Sequence, residues 1–357
     1  MQNRSAFVRN LLEWYNIHKR DLPWRDTKDA YKIWLSEVIL QQTRVKQGLP
    51  YFNRFMETYP DVHELANADE QAVLRLWQGL GYYSRAKNLH ACAKNIVSER
   101  GGQFPNSYSE LLKLKGIGKY TAAAIASFAF DEKVAVVDGN VFRVLSRVFG
   151  IAEDIGSTVG QKKFHKIANE IIPDSKGAEY NQAIMEFGAL HCTPALPLCD
   201  VCSMRKFCFA YQQQMQGELP VKSKKVKVKN RFFSYFVFSH NDYFLMNERS
   251  RKDIWNGLYD FHLLETSNSE VHEDITSINS LAKISREDMV LRADSEVYKH
   301  VLTHQRLYVR FFHLEVPDQE SFRKIMIDNK LRRFTLDEVK TLPKPILIEN
   351  YLSKNFF

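Results

Sequence analysis

The sequence has no apolar run of the roughly 20 residues needed to cross a bilayer. Nor does Met1-Gln2-Asn3-Arg4-Ser5 lead into the short apolar core of a signal peptide; an amphipathic helical pattern follows instead. The expectation is a cytoplasmic protein with no membrane partner and with its thiols reduced. Cysteine is scarce, five in 357 residues, and four of the five fall between positions 192 and 208. An even disulfide framework would scatter them, whereas a crowd argues for a metal. β-Branched alternation is scarce before residue 211, and neither a repeat nor a long low-complexity tract is seen. What remains is ordinary for a soluble globular chain: 45% hydrophobic and 26% charged residues, with length for two or three domains. The formal net charge of +8 suits a polyanionic partner, because phosphates attract Lys and Arg over several ångströms.

Apolar residues recur at three and four positions up to about residue 211, with turn signals at Gly101-Gly102, Pro105-Asn106 and Gly116-Ile117-Gly118. Residues 1–211 are therefore expected to be all-α. Residues 212–230 change character: three glutamines, then Pro220 and the basic run Lys222, Lys224, Lys225, Lys227 and Lys229. This reads as a solvated linker. From Arg231 the pattern is β-rich. Phe232–Phe238 reads as a strand, Asp242–Met246 as its hairpin partner after Asn241, and Tyr308–Phe312 as a further strand. Helical stretches near 319–329 and 336–341 complete an α+β domain over 231–357, so the fold class is multidomain, all-α then α+β.

Three groups of residues carry chemistry. Cys192, Cys199, Cys202 and Cys208 have the spacing C-x6-C-x2-C-x5-C, and four such thiolates can close around one soft metal centre. Zinc sites usually pair two short C-x2-C knuckles, and only one occurs here, so zinc and an iron–sulfur cluster both stand at this point. Cys92, in a helical stretch, reads as core. Gly116 and Gly118 permit a tight turn between helices at about 107–114 and 119–130, with amides exposed at a helix N-terminus. Such amides hold a phosphate, although a Gly-x-Gly alone can be simply a turn. Two carboxylates sit in unlike surroundings. On a helix, Glu37 has Ile33, Trp34 and Leu40 as neighbours, which would desolvate it and raise its pKa into the range of a usable acid; the plain alternative is a solvated helix glutamate. Asp138 precedes a helix over 141–148 and is a natural N-cap, which would also keep it ionised.

Over these residues the sequence resembles the MutY-type adenine DNA glycosylases of the helix-hairpin-helix (endonuclease III) superfamily. The similarity lies in Leu22-Pro23-Trp24-Arg25, in Trp34 to Val45, in Gly79-Leu80-Gly81-Tyr82-Tyr83-Ser84-Arg85, in Leu114 to Ala122, in Val136 to Asn140 and in Met185 to Ala189. The resemblance implies a 4Fe–4S cluster on the four cysteines. Glu37 would be the acid that protonates adenine and later activates water, with Asp138, Tyr120 and Asn140 completing the catalytic set. Trp24, Arg25, Leu40 and Val45 would line the base pocket, and Glu186 would contact the adenine edge. Gln41 and Gln42 would belong to a wedge element, with Gln42 and Tyr82 occupying the DNA stack near the lesion, Leu80 contacting the opposite base, and Gly116 and Gly118 on the phosphate. The helix-hairpin-helix lobe would run over about 25–130 and the cluster lobe over 1–24 plus 131–211.

Residues 231–357 resemble the MutT-like (Nudix-fold) domain fused to such enzymes, through Trp255-Asn256-Gly257-Leu258-Tyr259-Asp260-Phe261. No Arg-Glu-x-x-Glu-Glu run follows to hold magnesium, so the domain is expected to read a lesion, not to hydrolyse a diphosphate. The family's Phe-Ser-His loop is matched by Leu302-Thr303-His304, placing Thr303 and His304 toward the lesion. The resemblance implies a monomeric, bacterial, nucleoid-associated enzyme acting on double-stranded DNA with adenine opposite 8-oxoguanine or guanine. Two competitors remain open. An endonuclease III-type lyase would carry Lys where Tyr120 stands. A non-catalytic iron–sulfur DNA-binding or redox-sensing protein would not need Glu37, Tyr120 and Asp138 together.

Overall fold

The structure is a computed structural model that describes residues 3–223, 228–266 and 289–357. Lys224, Lys225 and Lys227 of the basic run lie outside the described residues. The chain divides into two compact units, residues 1–67 with 88–225, and residues 68–87 with 226–357. Composition gives no reason to part 68–87 from the surrounding helical sequence, yet this segment packs with the C-terminal residues.

The first unit is helical: α1 Arg4–His18, α2 Ala30–Leu40, α3 Val45–Thr58, α4 Val62–Asn67, α7 Tyr108–Leu111, α8 Lys119–Phe130, α9 Gly139–Phe149, α10 Thr158–Ile171, α11 Gly177–Leu190 and α12 Phe209–Gln212. Between these, α5 Glu70–Leu76 belongs to the second unit, and α6 Ser84–Arg100 begins there. Asp29 starts α2 by accepting the amides of Tyr31 and Lys32. From Ile33 to Ile39 every residue of α2 is buried. A helix so nearly enclosed needs cover on almost all sides. Part of that cover is α8, whose run Ala122-Ala123-Ala124-Ile125-Ala126 keeps side chains small where the two helices pack. α1 and α9 both pack on α11. Their shared core holds Phe7, Leu11, Val144, Leu145, Phe164 and Phe187. At Gly188 a Cβ would stand 2.6 Å from Cβ of Asn140, so glycine sets how closely α11 and α9 cross.

The basic segment is not wholly solvated as its composition suggests. Leu219 is buried, and the Arg147 guanidinium, itself buried in α9, donates to the carbonyls of Gln216 (2.6 Å) and Leu219 (3.0 Å). A buried guanidinium needs several acceptors, and backbone carbonyls of a short polar segment supply them.

The second unit is built on a mixed sheet of eight described strands, with β1 Lys229–His240 and β7 Gln305–Glu315 parallel at its centre. β2 Tyr243–Glu248 forms the expected hairpin with β1 across Asn241, which takes φ +50. The strands β3 Tyr259–Asp260, β4 His262–Thr266, β5 Val290–Asp294, β6 Tyr298–Val301 and β8 Arg332–Thr335 were too short or too polar to stand out in the sequence. Phe236, Phe238, Leu245, Phe312 and Leu314 pack against Phe322 of the helix Gln319–Asp328. Leu336–Thr341 is the second expected helix; a third, Ile346–Asn355, follows Pro343 and Pro345, which obscure its start.

Candidate active site

A cavity of about 520 Å³ opens in the first unit. It is lined by Glu37 and Leu40 of α2, Val45 of α3, Tyr120 of α8, Asp138 and Asn140 at the start of α9, and Trp24, Arg25 and Glu186. Residues far apart in sequence thus meet at one place. Glu37 is only 6% exposed. Burial pushes its carboxyl up to about 7, against the Tyr120 hydroxyl, which donates to Oε2 at 2.5 Å and favours the charged form; Asp138 adds to the rise. This bears out the sequence argument that its apolar neighbours would desolvate it.

Asp138 caps α9 as its position suggested. Its Oδ1 accepts the Val141 amide at 2.8 Å and its Oδ2 accepts the Asn140 side-chain amide at 2.8 Å. Burial raises the Asp138 carboxyl from its ordinary value, while these donors and the Arg143 guanidinium pull it down. The donors therefore work to keep charge on a carboxylate that burial would discharge. Asn140 is oriented in turn by Arg143, which donates to its Oδ1 at 2.8 Å and to the Gly188 carbonyl at 2.6 Å.

Glu186 lines the cavity but its oxygens are already engaged. Oε1 accepts from the Arg20 amide, from Arg20 Nε at 2.8 Å and from Arg25 Nη1 at 3.0 Å, and Oε2 accepts from both guanidiniums at 2.5 and 2.6 Å. Burial alone would raise this carboxyl, yet the arginines hold it down at about 2. Its geometry is that of an anchor for two cations at the cavity wall. Arg20 is the residue sequence reasoning missed: nothing in its neighbourhood marks it until the fold places it on Glu186. Gln182, one turn earlier on α11, also faces the cavity and was not foreseen; its Oε1 accepts the Tyr15 hydroxyl at 2.8 Å.

The expected DNA-contact residues fall into two sets. In the first unit, Gln41 ends α2 and donates to Thr121 Oγ1 at 3.2 Å, while Gln42 takes a left-handed backbone, φ +54. Gly116 has φ +82, and a Cβ there would meet Cβ of Asn88 at 2.8 Å. Gly118 caps α8 without any side-chain hydrogen bond, leaving that helix N-terminus to its own amides. In the second unit, Tyr82 is 43% exposed with φ +49, and its hydroxyl bonds that of Thr303. Thr303 and His304 are exposed, and with Leu80 they line a second cavity of about 460 Å³. Leu80 itself is only 6% exposed.

Cys192, Cys199, Cys202 and Cys208 line one small cavity together with Arg147, Met204 and Tyr211. Arg147 Nη1 donates to Cys192 Sγ at 3.5 Å and to the Thr193 carbonyl at 2.7 Å. Among the described residues no three His, Cys, Asp or Glu side chains form a metal-binding group. The all-sulfur donor set around one cavity, with a guanidinium to balance thiolate charge, fits a soft thiolate-bound metal centre. Cys92 lies apart, buried in α6.

Residues 35–172 match the HhH-GPD superfamily base excision DNA repair protein, and residues 234–354 match the NUDIX domain. An adenine DNA glycosylase of Buchnera aphidicola subsp. Schizaphis graminum is 36% identical over 262 residues, which cover 73% of this chain and 76% of that protein. The chain belongs to the adenine DNA glycosylase family. Among its relatives, the adenine DNA glycosylase of Mus musculus is 44% identical over 224 residues, covering 60% of this chain. The chain spans less than half the length of that relative, 44%. A solved structure of a thermostable thymine-DNA glycosylase, 30% identical with a TM-score of 0.55, covers 59% of this chain and 98% of its own. In this family the expected order, a helical helix-hairpin-helix region followed by a strand-rich Nudix-like domain, is the one found.

Proposed function

We propose that this chain is a monofunctional DNA glycosylase of base excision repair. It hydrolyses the N-glycosidic bond of adenine mispaired with 8-oxoguanine or guanine and leaves an abasic site. The observation that carries the reading is a carboxyl of pKa about 7, Glu37, held by Tyr120 in the same cavity as the capped carboxylate of Asp138. Cleavage needs a proton on the leaving base and negative charge beside the sugar cation that forms. Glu37 gives its proton to N7 of an extruded adenine. The C1′–N9 bond breaks with its electrons moving into the base, and Asp138 stabilises the resulting oxocarbenium charge. Glu37, now a carboxylate, takes a proton from the water that adds to C1′. Asn140 holds Asp138 in place. Glu186 holds Arg20 and Arg25 at the cavity wall, where their N–H groups can meet acceptor atoms of the base.

Tyr120 supports the absence of lyase activity, since a phenol cannot form the imine that strand cleavage requires. The four cysteines would hold one 4Fe–4S cluster, which would cross-link the loop from α11 to α12 through four thiolates. Double-stranded DNA is the partner, met as a monomer, with the Gly116–Gly118 hairpin on a phosphate, Gln41 and Gln42 at the stack, and Tyr82, Thr303 and His304 toward the lesion. The Nudix-like domain lacks its hydrolase run and serves as the reader. Bacterial cytoplasm, at the nucleoid, is the proposed setting.

The test is a strand-break assay with hot alkali on duplexes carrying adenine opposite 8-oxoguanine, adenine opposite guanine, or thymine opposite guanine. Alkali-dependent breaks at adenine, fastest opposite 8-oxoguanine, are expected. Breaks at thymine alone would overturn the reading.

A further inference from the structure

Lys344 is fully buried in the second unit, in the turn between the helices Leu336–Thr341 and Ile346–Asn355. An unpaired ammonium in such a place is unfavourable, so its partners matter. The side chain is held by the turn and by the two helices that flank it. Nζ donates to the carbonyl of Val339 and to that of Leu342 at 2.9 Å, near the C-terminal end of one helix. It also stands 3.1 Å from Glu349 in the first turn of the next helix. Burial lowers the ammonium from its ordinary value, and Glu349 raises it again.

With the side chain so held, the backbone of Lys344 is presented to the segment 78–83. Its N–H donates to Gln78 Oε1 at 2.9 Å. Its carbonyl accepts the Tyr83 hydroxyl at 3.4 Å, and that same hydroxyl accepts the Gly79 amide at 3.1 Å. One residue therefore holds both feet of a four-residue turn, Gly79-Leu80-Gly81-Tyr82. Three of those four have positive φ: Gly79 at +97, Gly81 at +73 and Tyr82 at +49. A tyrosine in the left-handed region is strained, and surrounding structure must enforce it. At the apex of the turn the Tyr82 hydroxyl reaches Thr303.

We propose that Lys344 is a positioning residue for opposite-base discrimination. It latches both feet of the 78–83 turn to the C-terminal helices and so fixes where Tyr82 meets Thr303. This rests on the reading above that Tyr82 and Thr303 face the lesion. The C-terminal residues then contribute to recognition twice: through Thr303 and His304, and through the shape they impose on a turn some 260 positions earlier in the chain.

The experiment uses the full chain in three forms, parent, Tyr83→Phe and Lys344→Met. Hydrogen exchange of peptides spanning 78–83 is measured alongside single-turnover excision of adenine opposite 8-oxoguanine and opposite guanine. Tyr83→Phe removes one hydroxyl and should fold as the parent does, which covers failure of Lys344→Met to fold. Exchange at 79–82 should rise about tenfold in Tyr83→Phe, and the ratio of the two excision rates should fall by about tenfold, with the rate opposite guanine unchanged. A merely structural role would leave that ratio alone. Unchanged exchange in the variants overturns the latch, and faster exchange with an unchanged ratio overturns the positioning role. A parent with no preference between the two duplexes would sink the functional reading instead, and exchange alone would then decide the latch.

Discussion

A carboxyl whose pKa is about 7 is protonated below neutrality and loses its proton as pH rises through that value. If Glu37 is the acid, the single-turnover rate should be flat at low pH and fall about tenfold per unit above pH 7. Glu37→Gln should lose about 10²- to 10⁴-fold in excision while DNA affinity, which rests on phosphate contacts, is kept. Parental rates in that variant would refute the acid assignment. Tyr120 offers a sharper check. Its hydroxyl donates to Glu37 and so favours the carboxylate. Tyr120→Phe removes that bond, should raise the Glu37 pKa, and should move the falling limb of the pH profile to higher pH. A limb that moved down or stayed would mean that another group titrates. At this scale the sequence was most readable where local pattern and chemistry coincide: Glu37 among Ile33, Trp34 and Leu40, and Asp138 ahead of a helix. It was least readable where a side chain's partner lies far along the chain. Glu186 looks identical in sequence whether it meets a base or two arginines, and only the fold brings Arg20 to it across 166 positions.

Helix crossings decide where those side chains stand. Asn140 and Asp138 sit where α9 passes α11, and Gly188 is what permits the approach. Gly188→Ala would place a methyl 2.6 Å from Asn140 Cβ and 3.1 Å from its backbone, none of which is a flexible end that can swing aside. The helices must separate, at roughly 1–3 kcal/mol for overpacking, and Asp138 should lose its Asn140 partner. The variant should melt a few degrees lower and excise adenine more slowly without losing DNA binding; melting and excision like the parent's would show that α9 is not set by this contact. The sequence marked Gly188 only as part of a family block, because a glycine inside a helix does not announce which backbone approaches it. The cysteine loop makes a separate claim at the same scale. Anaerobically prepared protein should carry about four irons per chain, and Cys199→Ser should lower soluble yield far more than Cys92→Ser, since Cys92 is buried in α6 and apart from the other thiols. Zinc without iron in that preparation would remove the cluster. Short strands such as Tyr259–Asp260 and the helix after Pro345 were not legible, since too few residues carry their period.

At the scale of the molecule, the boundary suggested by composition falls in the basic segment near 212–230, whereas the packing also draws 68–87 into the C-terminal unit. That difference changes what a truncation would do. Ending the chain at residue 225 removes Thr303 and His304, and it also strips Gln78, Tyr83 and Lys87 of Lys344 and Asn256. Lys87 donates to Asn256 Oδ1 at 2.7 Å, and the Tyr82 hydroxyl would have no Thr303 to meet. The cavity that holds Glu37 and Asp138, by contrast, is lined by residues from 20 to 189. The truncated protein should therefore still excise adenine, with its preference for 8-oxoguanine over guanine reduced. It should also show faster hydrogen exchange and readier proteolysis at 68–87 than the parent. Reading through Thr303 and His304 alone predicts a different pattern: substituting both in the full chain would match the truncation. If the Nudix-like unit acts also through the turn it holds, that double substitution should lower the preference less than truncation does. Single-turnover rates on the two duplexes for parent, truncation and Thr303→Ala/His304→Ala separate these outcomes, and an unchanged preference in the truncation would take the reader role away from the C-terminal residues altogether.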